Sequence, residues 1–277
     1  MSSYITHYSG RAEFKSFVPD AVEVMVENAY PSSLELLSEV DAGFSHLNHL
    51  LESASTRRLA EIMKREAEAS VRLALPVPCA ACALDSSALD DVMNVIKATE
   101  WGVGQLENLP LSTRLIKQVH AVAMASPVYS RKYAGEFRIS PVWIGSPGST
   151  PSTARFVPPV DEDLTEAISS LEHYIHHHDG SPFVKAAVVH YYFEMIHPFL
   201  DGNGRVGRII NTLYLLEAHA LGAPGLLLSE VLLEEPAKYF AEIQRVNLTD
   251  GLHRWVEFYL NTLKSAASLT ASVLTTF

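Results

Sequence analysis

The sequence has little of several things that would announce a function. It contains two cysteines, Cys79 and Cys82, as a lone C-x-x-C pair. Without a second pair or a nearby histidine they cannot close a structural zinc site, and no βαβ pattern surrounds them. The expectation is two small thiols, buried or in a loop. Positive charge is also scarce. Lys and Arg number 21 against 32 Asp and Glu, a net charge of −11, which argues against a nucleic-acid or anionic-membrane surface. No apolar run approaches membrane-spanning length. The N-terminal MSSYITHYSGRAEFKSF lacks the basic-then-apolar pattern of a secretory signal. The expectation is cytoplasmic residence, with no membrane partner. Residues 261–277 contain no acidic residue, and no internal repeat or low-complexity tract is visible.

What is present is mostly helix-compatible. Residues 21–72 carry apolar side chains at helical spacing, broken at Pro31-Ser32-Ser33. Residues 76–82 (PVPCAAC) read as a loop, and 86–101 as another helix with Ser86 or Ser87 as its N-cap. Residues 110–124 suit a helix. Residues 135–160 are rich in Pro, Gly and Ser with short β-prone pieces, and helices resume near Asp161. His176-His177-His178 reads as a solvated helix end, because consecutive helical residues point in different directions. His190, on an apolar helix, is expected to pack. The fold class is mainly α.

The informative segment is His197-Pro198-Phe199-Leu200-Asp201-Gly202-Asn203-Gly204-Arg205-Val206-Gly207-Arg208. The apolar run 182–196 is closed by Pro198, which cannot continue a helix. Val206, Ile209, Ile210, Leu213 and Leu216 start a new helical period. The segment is therefore a glycine-rich turn feeding a helix N-terminus, where outward N–H groups and the helix dipole favour an anion. Arg205 and Arg208, three residues apart, can both line one face there and clamp phosphate oxygens. Asp201 beside such a nest would repel phosphate unless a hard cation, most simply Mg²⁺, bridges them. His197 can take a proton near neutrality, since free imidazole titrates at about 6.5. Phe199 and Leu200 are read as loop anchors. Together these residues suit transfer of a phosphate group to a nucleophile deprotonated by His197.

The segment resembles the Fic family signature, H-x-F-x-D/E-G-N-G-R-x-x-R, with every defining position filled. A second block agrees: Gly135-Glu136-Phe137-Arg138, Val142-Trp143-Ile144-Gly145 and Ala154-Arg155-Phe156-Val157-Pro158-Pro159. The resemblance covers about residues 100–265 and, more weakly, 10–75. It implies a Fic-type helical bundle with a short β-hairpin flap, preceded by an N-terminal helical region. The implied organisation is 1–100 for that region, 101–265 for the catalytic core and 266–277 for a C-terminal tail. It implies a protein adenylyltransferase that moves AMP from Mg·ATP to a Ser, Thr or Tyr hydroxyl of a target or of itself. His197 would be the general base and Asp201 the Mg²⁺ ligand. Gly202, Asn203 and Gly204 would cradle the α- and β-phosphates, with Arg205 and Arg208 on the β- and γ-phosphates. The protein target would dock at the flap near Trp143 and Ile144. Family precedent adds a homodimer. Gly204 and Arg208 argue for AMP rather than phosphate transfer, although a related branch uses CDP-choline. A nucleotide-binding module without turnover is the alternative from another class.

One departure bears on regulation. Relatives of this length carry an inhibitory helix, S/T-x-x-x-E-G/N, whose glutamate pairs with the last arginine of the signature. The comparable segment here is Glu66-Ala67-Glu68-Ala69-Ser70-Val71-Arg72-Leu73-Ala74-Leu75. Ser70 is kept, but Ala74 and Leu75 replace the glutamate and glycine. The first expectation is that glutamate autoinhibition is absent and Arg208 is free. A second is that Glu66 or Glu68 substitutes, though both lie more than a helical turn upstream. A third is a chain that is decayed, partner-controlled or engineered. The missing glutamate also counts against the reverse reaction, removal of AMP.

Overall fold

A computed structural model describes residues 3–9, 12–26, 34–129, 132–146, 148–177, 179–246 and 251–276. Two strands come first, β1 (Ser3–Ser9) and β2 (Ala12–Val18). Helices α1 (Val22–Val26), α2 (Leu34–Glu52), α3 (Thr56–Leu73), α4 (Ser86–Leu106) and α5 (Thr113–Ala123) follow. A 3₁₀ turn spans Pro127–Tyr129. Then come α6 (Asp161–His177), α7 (Pro182–Ile196), α8 (Asn203–Glu217), α9 (Leu228–Glu234), α10 (Pro236–Val246) and α11 (Leu252–Thr275). The expected break at Pro31-Ser32-Ser33 and the side of His178 lie outside the described residues.

The bundle is organised around α7. Its sequence is apolar all round, so it belongs in the centre rather than at a surface. Ser181 caps its N-terminus and Pro182 opens it, where a missing N–H costs nothing. Nearly every side chain from Phe183 to Ile196 is buried, among them His190, whose Nε2 lies 2.9 Å from the Tyr239 hydroxyl. Helices α6, α8 and α11 pack on it. Trp255 of α11 donates from Nε1 to the Ala187 carbonyl at 2.7 Å and so ties the last helix to the centre.

Three expectations are corrected here, and the hairpin flap is found in its shortest form. The first residues are not helical: β1 and β2 form an antiparallel hairpin, with Tyr4 opposite Phe17 and His7 opposite Phe14. Alternating β-formers on either side of the Ser9-Gly10 pair in the sequence were the signal for it. The flap expected over 135–160 contributes only one bridge, Ile144 with Phe156. Prolines at 141, 151, 158 and 159 remove the N–H donors that a longer ladder would need. The N-cap of α4 is Asp85, which accepts from the Ala88 N–H at 2.8 Å, rather than Ser86 or Ser87. Cys79 and Cys82 are not thiols but a disulfide, with Cα atoms 5.5 Å apart. Such a bond runs against the cytoplasmic expectation, since cytosolic thiols are kept reduced. No described helix is long and apolar enough to cross a membrane.

The expected unit boundaries both fall inside helices. Helix α4 continues through Glu100 and Trp101, and α11 through Ser265 and Ala266. Helix α11 packs along α2, which joins the end of the chain to its N-terminal part.

Candidate active site

The turn between α7 and α8 is built by backbone geometry that few residues tolerate. Helix α7 ends with His197 in the left-handed conformation (φ 46°, ψ 60°). A non-glycine residue there is uncommon and must be held by its surroundings. Arg138 does the holding. Its Nε donates to the His197 carbonyl at 2.8 Å and its Nη2 to the Ile196 carbonyl at 3.1 Å. The same Nη2 reaches the Pro159 carbonyl, and the Arg138 N–H donates to Pro198 at 2.9 Å. The guanidinium thus satisfies the orphan carbonyls at the end of α7. Burial lowers its pKa to about 10, so it stays charged at neutral pH. The block Gly135–Arg138, expected in the flap, turns inward to do this.

Helix α8 starts at Gly202, also left-handed (φ 77°), and a Cβ there would lie 2.5 Å from the Met124 sulfur. Only glycine meets both conditions. No side chain caps α8, so its first-turn N–H groups face outward at the positive end of the dipole. The Asn203 side chain has a structural task of its own. Its side-chain amide accepts from the Phe199 N–H and donates to the Phe199 carbonyl, each at 2.9 Å. The side chain staples the loop, and only the backbone of Asn203 is left for an anion. Gly204 has Arg208 Nη1 3.2 Å from where a Cβ would be.

His197, Asp201, Gly202, Asn203, Gly204, Arg205 and Arg208 all line one cavity of about 730 Å³. Ile144 and Phe156 close it from the flap side and Tyr239 from α10. Trp143 does not line it; it is half-exposed and donates from Nε1 to the Ser149 carbonyl at 2.8 Å. His197 places Nδ1 3.3 Å from the Glu194 carbonyl. That oxygen can only accept, so Nδ1 carries the proton and Nε2 keeps its lone pair. Burial lowers the His197 pKa to about 4, assisted by Arg138 and opposed by the Glu194 carbonyl and Asp201. The imidazole is therefore neutral at pH 7.

The two arginines of the signature are held separately, not side by side. Arg205 forms an ion pair with Asp91 of α4 at 2.8 Å and lies over the Tyr129 ring at 5.1 Å. The Tyr129 hydroxyl donates to the same Asp91 carboxylate at 2.6 Å. Arg205 Nε is buried without a hydrogen-bond partner. Arg208, expected to be left open by the missing glutamate, is held by Ser70. Its Nε donates to Ser70 Oγ at 2.9 Å and its Nη2 to the Ser70 carbonyl at 2.8 Å. Ala74 and Leu75, at the end of the same helix, line the cavity. Neither candidate substitute glutamate bonds Arg208. Glu66 accepts from Ser229, and Glu68 pairs with Arg72 at 3.2 Å.

Asp201 is the one carboxylate at the α8 N-terminus that is open to solvent. Its Oδ1 accepts from the Gly202 N–H at 2.7 Å, and its Oδ2 lies 3.5 Å from Lys132 Nζ. Among the described residues no group of three or more His, Cys, Asp or Glu side chains could hold a metal alone. A single carboxylate suits a Mg²⁺ that takes its remaining ligands from phosphate and water.

Residues 110–215 match the model of the Fic/DOC family. A "Protein adenylyltransferase Fic" of Drosophila virilis is 31% identical over 119 residues, 42% of this chain and 21% of that protein. A "Protein adenylyltransferase fic-1" of Caenorhabditis elegans is 29% identical over 120 residues, again 42% and 21%. The chain thus spans about a fifth of the length of these curated relatives. A Fic family protein from Desulfovibrio desulfuricans G20 superposes with a TM-score of 0.69 at 19% identity, covering 88% of this chain and 76% of that one. A likeness at that identity establishes the fold, here the helical fold of Fic family structures.

Sequence reasoning assembled the signature side of this site but missed its supports. Asp91, Tyr129, Arg138 and His120 lie on other elements, and Glu194 lies on α7 just before the signature. Only for Gly135–Arg138 did the resemblance give a signal.

Proposed function

We propose that this chain is a protein adenylyltransferase, moving AMP from ATP to a hydroxyl of a protein target or of itself. The observation that carries this reading is the single cavity in which His197 Nε2, Asp201 and the uncapped N-terminus of α8 meet Arg205 and Arg208. The relatives named protein adenylyltransferase support the same class.

In this reading the triphosphate lies along the α8 N-terminus, with backbone N–H groups and Arg205 Nε as donors. The target hydroxyl oxygen attacks the α-phosphorus, and its proton passes to His197 Nε2. The bond from the α-phosphorus to the α–β bridging oxygen breaks, and pyrophosphate leaves. Asp201 would hold Mg²⁺, which would supply positive charge to offset charge developing on the leaving group. Positioning and fixed donors supply most of the rate, and base assistance by His197 adds about 10²–10⁴-fold. The target would dock beside Ile144, whose backbone ladder ends after one bridge and leaves strand-pairing capacity.

The test is incubation with Mg²⁺ and ATP labelled on the α-phosphate, alone and with a cell lysate, beside His197→Ala. Label on protein that disappears in the variant supports the reading, with ATP binding retained. Label transferred only from γ-labelled ATP or from CDP-choline would assign another donor chemistry. Binding without any transfer would make the chain a nucleotide-dependent interaction module.

A further inference from the structure

His120 lies outside the signature and does not line the cavity, yet it touches both halves of the machinery. It is fully buried on α5. Its Nδ1 accepts the Gly135 N–H at 2.8 Å. The ring proton therefore sits on Nε2, which lies 3.0 Å from the Asp201 carbonyl and donates to it. The ring is stacked on Phe199, with centroids 3.7 Å apart and planes within 8°.

These contacts join two segments that the reaction needs in register. Gly135 begins the short run that ends at Arg138, and Arg138 holds the His197 and Ile196 carbonyls. Asp201 begins the phosphate turn. The run is seated tightly on α5: Gly135 has φ 85°, and a Cβ there would lie 3.0 Å from Ala121 Cβ. A neutral imidazole offers a donor on one edge, an acceptor on the other and an apolar face for Phe199. No other side chain combines these.

We propose that His120 is a positioning residue that fixes the phosphate-binding turn at Asp201 relative to the base His197. The inference rests on the transferase reading, with His120 acting through these neighbours and not on substrate. Three replacements separate its contacts. His120→Gln places an amide where Nε2–H reaches Asp201 and gives up the Gly135 acceptor. His120→Asn keeps an acceptor near Gly135 and gives up the Asp201 tether. His120→Phe keeps only the stack on Phe199.

The experiment measures the Kd for Mg·ATP by calorimetry, the kcat for α-label transfer and the thermal midpoint of each variant. His120→Asn is expected to weaken Mg·ATP by roughly tenfold, because the phosphate turn is released. His120→Gln is expected to bind Mg·ATP within about twofold of wild type but to lose kcat by roughly tenfold, because the run to Arg138 is released. His120→Phe should show both defects. A lowered midpoint with kcat and Kd unchanged, or identical defects in Asn and Gln, would overturn the proposal. If wild type binds Mg·ATP but transfers nothing, the transferase reading fails by itself. The order of Kd values, Asn weaker than Gln, still decides the role of His120.

Discussion

Ser70 holds Arg208 along one edge of its guanidinium, accepting from Nε with its hydroxyl and from Nη2 with its carbonyl. The remaining nitrogen, Nη1, is the one nearest Gly204 in the first turn of α8. Helix α3 therefore grips the arginine and leaves Nη1 toward the cavity.

Ser70→Ala should reveal that grip. It removes one acceptor and leaves a buried charged donor with only the carbonyl bond beside it. The KM for ATP is expected to rise about three- to tenfold, with kcat changed less than about twofold. A fall in KM would mean that Ser70 restrains Arg208 instead of presenting it.

Ala74→Glu tests whether the same helix can gate the site. Ala74 caps α3 and lines the cavity that also contains Arg208. A carboxylate there would compete with phosphate oxygens for the arginine. Transfer is expected to drop by roughly tenfold or more, while Ala74→Gln stays close to wild type. Equal activity in both variants would show that Arg208 is not reached from this position.

Arg138→Leu should separate stability from catalysis. It strands the carbonyls of Pro159, Ile196 and His197 in a buried site. Stability is expected to fall by about 2–3 kcal/mol in urea unfolding. Transfer should fall by roughly 10² even where the variant is folded, because the left-handed backbone that aims His197 is no longer held. Mg·ATP affinity should change far less; a parallel loss of affinity would put the effect on the whole cavity.

The pH dependence has two opposing parts. Burial lowers His120 and His197 to about 4 and His190 to about 3. Each binds its proton more readily when unfolded, so its contribution is present above about pH 6.5 and lost as pH falls toward 4. Burial raises Glu66 and Glu194 to about 7. Their contribution is present below about pH 4.5 and lost as pH rises through 7. Urea midpoints are therefore expected to vary little between about pH 5 and 6.5, then fall steeply in more acid solution. The steepest loss near pH 6.5 would contradict the lowered histidines. Transfer should follow the base: kcat/KM is expected to change less than about twofold between pH 5.5 and 7.5. An unperturbed imidazole would lose most of its free-base fraction across that range.

Much of the helical scaffold was legible because it is written locally. The all-round apolar character of residues 182–196 marks a central helix, Pro198 marks its end, and the Gly-Asn-Gly run marks a phosphate-compatible turn. The hairpin at residues 3–18 was missed although its alternation is local, because neighbouring helical periods dominated the reading. The Cys79–Cys82 bond was missed because spacing alone does not say whether two sulfurs meet.

The candidate site divides along the same line. Sequence alone determined the chemical inventory: one imidazole, one carboxylate, a turn that frees N–H groups and two arginines, all within one turn of chain and the helix that follows. Short separation along the backbone makes their proximity nearly unavoidable. Tertiary structure decided how each is held. Asp91 comes from α4, Ser70 from α3, His120 from α5 and Arg138 from the segment after it, and no local rule pairs them with residues 197–208. Their contacts exist because burial in a bundle strongly favours pairing of charged and polar groups, and which partner is near depends on how the helices pack.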